Sequence, residues 1–84
     1  MADVKIYVTE YCPYCVRAKA LLDRKKVPYT AVDVEGDSAK RAWLVQTTGR
    51  RTVPQVFIND RPVGGCDDLY ELDRSGELDK LLTA

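Results

Sequence analysis

The sequence predicts an α/β fold in the order β-α-β-α-β-β-α, with a four-stranded mixed sheet flanked by helices. Three observations carry this. Short β-branched runs alternate with stretches whose apolar residues recur every three or four positions. The first half reads βαβ, and a right-handed crossover makes its two strands parallel. In the second half Asn59-Asp60 lies between two strand-like runs as a tight turn, so the last two strands are antiparallel. The 84 residues suit a single domain, 1–84, near the lower end of what one hydrophobic core stabilises alone.

Val4 to Val8 alternates apolar positions and contains no breaker, so it is the first strand. Pro13 suits the first position of a helix, which makes Cys12 its cap. From Tyr14 to Lys26 the residues Cys15, Ala18, Leu21 and Leu22 form one core face. Val27-Pro28 is expected to end that helix, because a residue before proline avoids helical angles. Tyr29 to Val34 is the second strand. Gly36-Asp37-Ser38 offers a turn and a cap for a helix from Ala39 to Thr48, which closes on Gly49. In that helix Arg41, Leu44 and Val45 face inward. Trp43 is expected to point away from them and lie largely in solvent, as a partner patch or as an ordinary exposed aromatic. Val53 to Ile58 is the third strand, and Arg61 to Gly64 is the fourth, placed at a sheet edge by Pro62. Cys66 to Arg74 is a helix with Leu69 and Leu72 inward, stopped at Ser75-Gly76. A last turn carries Leu78, Leu81 and Leu82.

Composition excludes several function classes. Lysine and arginine number 13, as do aspartate and glutamate, so the formal net charge is zero. That balance argues against nucleic acid or a membrane surface as partner. No apolar run approaches the roughly 20 residues of a membrane span. No basic stretch followed by an apolar one marks an export signal, so a reducing, cytoplasmic setting is expected. The chain has three cysteines and no histidine. A structural zinc site needs about four Cys or His ligands, so no metal is expected within the chain. Cys–His nucleophilic chemistry is excluded as well.

The stretch from Thr9 to Cys15 carries the chemistry. A strand delivers a Cys-x-x-Cys pair to the first turn of a helix, where backbone N–H groups and the helix dipole favour negative sulfur. That is the arrangement of a thiol–disulfide oxidoreductase, at the carboxyl end of a strand where open α/β sheets bind ligands. Cys12, at the cap, is the nucleophile. Tyr14 and Cys15 offer it N–H groups, and Pro13 has none. Cys15 lies one turn further in and is the more buried thiol.

Cys12-Pro13-Tyr14-Cys15, Thr52-Val53-Pro54 and Gly64-Gly65-Cys66-Asp67-Asp68 occur in that order. Together they resemble the dithiol glutaredoxins, in particular the short bacterial glutaredoxin-3 type, from end to end and without insertion. The resemblance implies a thioredoxin fold with a cis peptide at Val53-Pro54. It implies a redox-active disulfide, Cys12–Cys15, and glutathione as co-substrate, with no bound cofactor. It places glutathione against Tyr14, Thr52, Val53 and Pro54, with its γ-glutamyl end at Gly65, Cys66 and Asp67. Many relatives carry a lysine where this chain has Thr9. Arg41, or the nearby Arg51, is expected to take over its contact with the glycyl carboxylate. Tyr11 likewise stands where relatives often have the smaller Thr.

The activity implied is reduction of protein–glutathione mixed disulfides by Cys12 and of protein disulfides by Cys12 with Cys15. The chain would act as a monomer on glutathionylated or disulfide-containing client proteins. Whether ribonucleotide reductase is among them is left open. Cys66 has two readings, a small residue capping the third helix beside the ligand or an accessory thiol that becomes glutathionylated. The rival function is a [2Fe–2S] module in which two chains share a cluster through Cys12 and two glutathiones. Pro13 and the second thiol speak against it.

Overall fold

Alternation along the first strand decides which way the sheet faces. The computed structural model describes residues 2–83. Its elements are β1 (Val4–Val8), α1 (Pro13–Arg24), β2 (Thr30–Asp33), α2 (Ser38–Thr48), β3 (Gln55–Ile58), β4 (Arg61–Gly64), α3 (Cys66–Ser75) and α4 (Glu77–Leu82). The sheet order is β2-β1-β3-β4. β1 and β2 are parallel, whereas β1–β3 and β3–β4 are antiparallel. This is the expected mixed sheet, with the Pro62 strand at its edge. Val4, Ile6 and Val8 of β1 and Val56 and Ile58 of β3 point to one face. There they pack with Cys15, Ala18, Leu21 and Leu22 of α1, Leu69 of α3, and Leu78 and Leu82 of α4. The opposite face carries Phe57 with Tyr7 and Val32, and Leu44 of α2 covers it.

Helix ends and turns follow local chemistry. Asp37 caps α2, its carboxylate accepting the Lys40 N–H at 3.0 Å, and Gly49 closes that helix in the left-handed region (φ 74°). Asn59 and Asp60 both take positive φ (52° and 65°), the geometry of a tight hairpin turn whose twist matches its strands. α1 stops earlier than expected. Its cap is Lys25, and Lys26 turns left-handed (φ 56°). The Lys26 N–H donates to the Asp23 carbonyl at 3.0 Å and the Val27 N–H to that of Leu22 at 3.3 Å. These two bonds form a Schellman closure, so the helix is already ended when Val27-Pro28 is reached. The expected last turn is a helix in its own right. Lys25 Nζ joins α1 to it, pairing with Asp73 at 2.6 Å and Asp79 at 3.0 Å.

Trp43 differs from its expected orientation. It is 43% exposed, but one face lies against the sheet. Its ring stacks on Phe57 (centroids 5.7 Å, planes 20° apart) and sits 5.5 Å from Tyr7. A helix packed on a sheet contacts it with a wider arc than its most apolar stripe, and the indole is long enough to reach back. No helix among the described residues is long and apolar enough to cross a membrane.

Candidate functional site

Beyond β1 the chain turns sharply. Tyr11 takes φ 54° and is 96% exposed, and Cys12 follows in extended conformation as the cap of α1. The cap is made by sulfur. Cys12 Sγ accepts the Cys15 N–H at 3.3 Å, closing the first turn around Pro13. Of the two N–H groups expected to reach the sulfur, it is that of Cys15 that makes the bond. The Cys12 S–H in turn points at the Val53 carbonyl, 3.8 Å away. Cys12 is thereby tied both to its own helix and to the loop before β3.

Cys15 is 2% exposed. Burial pushes its thiol up to about 12, helped by its hydrogen bond to Cys12 and by the charge Cys12 carries when ionised. The Thr9 backbone and then the Lys19 charge oppose the rise. The two thiols of one motif therefore stand in different environments, Cys12 half-buried with a donor facing it and Cys15 sealed in the core. Cys12, Cys15 and Cys66 are all unpaired thiols in this structure.

Two clefts lie near Cys12, which lines the broader one and meets the wall of the narrower one at the Val53 carbonyl. The narrower, of 210 Å³, has Tyr14 and Thr52–Pro54 on one side and Gly65, Cys66 and Asp67 on the other, and is closed by Arg50 and Asp68. The Val53–Pro54 peptide is cis. Gln55, fully buried, holds this wall by donating Nε2 to the Thr52 carbonyl at 2.9 Å. The walls come close: a Cβ on Gly65 would stand 3.2 Å from the Pro54 carbonyl oxygen. The broader cleft, of 710 Å³, takes in Cys12 itself with Thr9, Glu10, Tyr11, Val16, Lys19 and Asp33.

Two expected residues, Arg41 and Cys66, are placed differently. Arg41 does not line the narrow cleft. Its Nη2 donates to the Arg51 carbonyl at 3.3 Å and braces the loop after α2. The left-handed turn at Gly49 brings Arg50 into the cleft instead. Cys66 does not cap α3. Gly65 is the cap and Cys66 the first helical residue, 4% exposed. Burial chiefly pushes its thiol up, and Asp67 and Cys12 add to this against Arg17. An accessory-thiol role is disfavoured on both counts, because oxidation follows exposure and thiolate character.

Sequence reading missed Arg50 and Asp68. Asp68 Oδ2 accepts the Gly65 N–H at 2.9 Å and is ion-paired with Arg50 Nη1. The Arg50 guanidinium, then the Gly65 N–H, hold its carboxyl below the usual aspartate range. The signal for Asp68 was present: an acidic residue three positions after a helix cap is a capping residue. Nothing comparable in the sequence marks Arg50 over Arg51.

Comparison with known proteins agrees with this geometry. A family model described as Glutaredoxin matches residues 4–63. The chain is 54% identical to Glutaredoxin 3 of Escherichia coli (strain K12) over 82 residues, 98% of this chain and 99% of that one. It is 50% identical to a Glutaredoxin of Pseudomonas aeruginosa over 84 residues, all of both chains. Among solved structures, a buckwheat glutaredoxin–glutathione complex superposes with a TM-score of 0.92 at 39% identity, covering 98% of this chain and 77% of that one.

Proposed function

The chain belongs to the glutaredoxin family, the glutathione-dependent thiol–disulfide oxidoreductases of thioredoxin fold, and from that premise we propose how its residues divide the reaction. The observation that carries the proposal is the position of Cys12 Sγ. It caps α1 and faces the Val53 carbonyl on the wall of the narrow cleft. The sulfur that attacks and the surface that would hold glutathione are contiguous.

With a protein–glutathione mixed disulfide, the Cys12 thiolate attacks the glutathione sulfur and the protein thiolate leaves with the bond's electron pair. A second glutathione thiolate then attacks the glutathione sulfur on Cys12. Cys12 leaves as thiolate, favoured by the Cys15 N–H and the helix start, and oxidised glutathione is released. With a protein disulfide, Cys12 forms a mixed disulfide with the protein. Cys15 gives up its proton and attacks Cys12, releasing the second protein thiol and leaving Cys12–Cys15 oxidised. Two glutathiones return that pair to thiols.

The environment of Cys15 orders these steps. In the reduced protein its high pKa keeps it a protonated thiol, so it does not compete with Cys12 for substrate. Once Cys12 is in a mixed disulfide, it carries no negative charge beside Cys15 and no thiolate for the Cys15 S–H to donate to, while the Cys15 N–H still faces its sulfur. Two of the causes that raise Cys15 are then gone, leaving burial.

Glutathione in this reading lies along Thr52, Val53 and Pro54 with Tyr14 beside it, and its cysteinyl backbone pairs with Val53 as an added strand would. Its γ-glutamyl carboxylate meets the N–H groups at the start of α3, Gly65 to Asp67. The Asp67 carboxylate pairs with its ammonium. The chain acts as a monomer in the cytoplasm on glutathionylated and disulfide-containing proteins. The deciding experiment supplies electrons from glutathione with glutathione reductase or from thioredoxin reductase. Turnover of a glutathionylated peptide is expected with the first alone; turnover with thioredoxin reductase alone overturns the reading.

A further inference from the structure

The ion pair that closes the narrow cleft belongs to neither cysteine and to none of the expected ligand contacts. Arg50 comes from the loop after α2, two residues before the Thr52–Pro54 wall. Asp68 comes from the first turn of α3, the opposite wall. The two guanidinium nitrogens face the two carboxylate oxygens, with Nη2–Oδ1 at 3.5 Å and Nη1–Oδ2 closer. The same Oδ2 accepts the Gly65 N–H. One carboxylate is thus held from both walls.

The space around it is shaped to fit. Gly64 takes φ 112°, and a Cβ there would fall 2.5–2.7 Å from atoms of the Asp68 side chain. Gly65 has no side chain to cap α3, so Asp68 satisfies its N–H, and the first-turn residues Cys66 and Asp67 line the cleft. The charges matter as well. Asp67 and Asp68 both stand in that first turn, where an anionic group must approach. Two uncompensated carboxylates would repel it. With Arg50 on Asp68, one uncompensated carboxylate remains.

We propose that Arg50 is a positioning residue for the glutathione cleft, acting through Asp68. It fixes the α3 start against the Thr52–Pro54 wall and cancels the charge that would oppose the γ-glutamyl carboxylate. Asp67 is left to meet the ammonium. This rests on the glutathione reading above and adds to it a residue that touches no reacting atom.

The test is steady-state reduction of a glutathionylated peptide, beside the same peptide blocked with cysteine. Arg50→Met is expected to raise KM for the glutathionylated peptide about three- to tenfold, the range of a partly exposed ion pair plus one uncompensated charge. Its kcat should stay within about twofold, since no transition-state contact is lost. Arg50→Lys, which keeps the charge without the fork, should recover most of the KM. In an Asp68→Asn background the Arg50→Met shift should fall below about twofold, because the pair is already gone. An equal shift in both backgrounds, or a normal KM in Arg50→Met, overturns the proposal. A wild-type protein that handles both blocked peptides equally overturns the glutathione reading instead. Should Arg50→Met not fold, Arg50→Gln, which also removes the charge, yields the same coupling when measured in the wild-type and Asp68→Asn backgrounds.

Discussion

Two helix starts meet at this site, and they are capped in opposite ways. At α1 the cap is Cys12, whose sulfur takes the Cys15 N–H. At α3 the cap is Gly65, which has no side chain, and Asp68 satisfies the cap's own N–H from inside the helix. The same backbone problem, a first turn of unpaired donors, is solved at α1 by the reagent itself. At α3 the cap has no side chain to take them. On the function proposed above, the difference divides a start that supplies chemistry from one that supplies recognition, and it says which substitutions should separate them.

The largest effect is expected at the α1 start. Cys12→Ser should lower glutathione-dependent reduction of a glutathionylated peptide by more than about a thousandfold, the scale on which losing a nucleophile acts. Cys15→Ser should retain most of that activity yet lose the dithiol reduction of a protein disulfide. Equal losses in the two variants would mean that the cap and its buried neighbour do not differ in role.

Making the α3 start resemble that of α1 should weaken binding without unfolding the helix. Gly65→Ser supplies a side-chain cap that competes for the first-turn N–H groups, and its Cβ falls 3.2 Å from the Pro54 carbonyl. KM for the glutathionylated peptide should rise about tenfold, one lost charge-assisted contact. A Ser cap gains only a few tenths of a kcal/mol over Gly, and the tight Cβ contact with the Pro54 carbonyl works against that gain, so thermal stability should fall only slightly beside the KM effect. An unchanged KM would show that those N–H groups are not used for binding.

How far the sequence reveals these two starts follows from what fixes each. Cys12 as a cap is legible because Pro13 admits one helical position and names its neighbour. The strands and the Asn59-Asp60 hairpin are legible because alternation and turn chemistry are local. At α3, Cys66 reads as the cap because small polar residues usually fill that place. Only the packing of Gly65 against Pro54 shows that glycine holds it. Arg41 against Arg50 is likewise beyond local reading. Both are long cations near the same loop, and the left-handed turn at Gly49 decides which one enters the cleft. Trp43 lies across the sheet because Tyr7 and Phe57 present it with an aromatic surface, a tertiary fact.

Alkaline pH offers a sharper view of the buried thiol behind the α1 cap. Cys15 stands near 9.0 when unperturbed and is raised to about 12 in the fold. A raised folded value favours the protonated form. Its contribution to stability is therefore intact below 9.0 and drains away as pH climbs through about 12. The urea midpoint of the reduced protein should fall between those limits more steeply than that of Cys15→Ala. Tyr29 and Cys66 are also raised by burial, but they titrate in both proteins and drop out of the difference. Parallel slopes would show that Cys15 is not sealed in the core as its 2% exposure requires.

A third helix start gives the control and the smallest effect. Asp37 caps α2 through the Lys40 N–H at 3.0 Å, and α2 covers the sheet face opposite to α1 and α3. Its cap therefore serves the helix alone. Asp37→Ala should cost about 1 kcal/mol, the usual loss for an N-cap, read as a lower urea midpoint. Glutathione KM and kcat should both stay where they were. A KM shift comparable to that of Gly65→Ser would mean that loosening any cap disturbs the cleft. The contrast between the α1 and α3 starts would then reflect general stability, not a division between reagent and recognition.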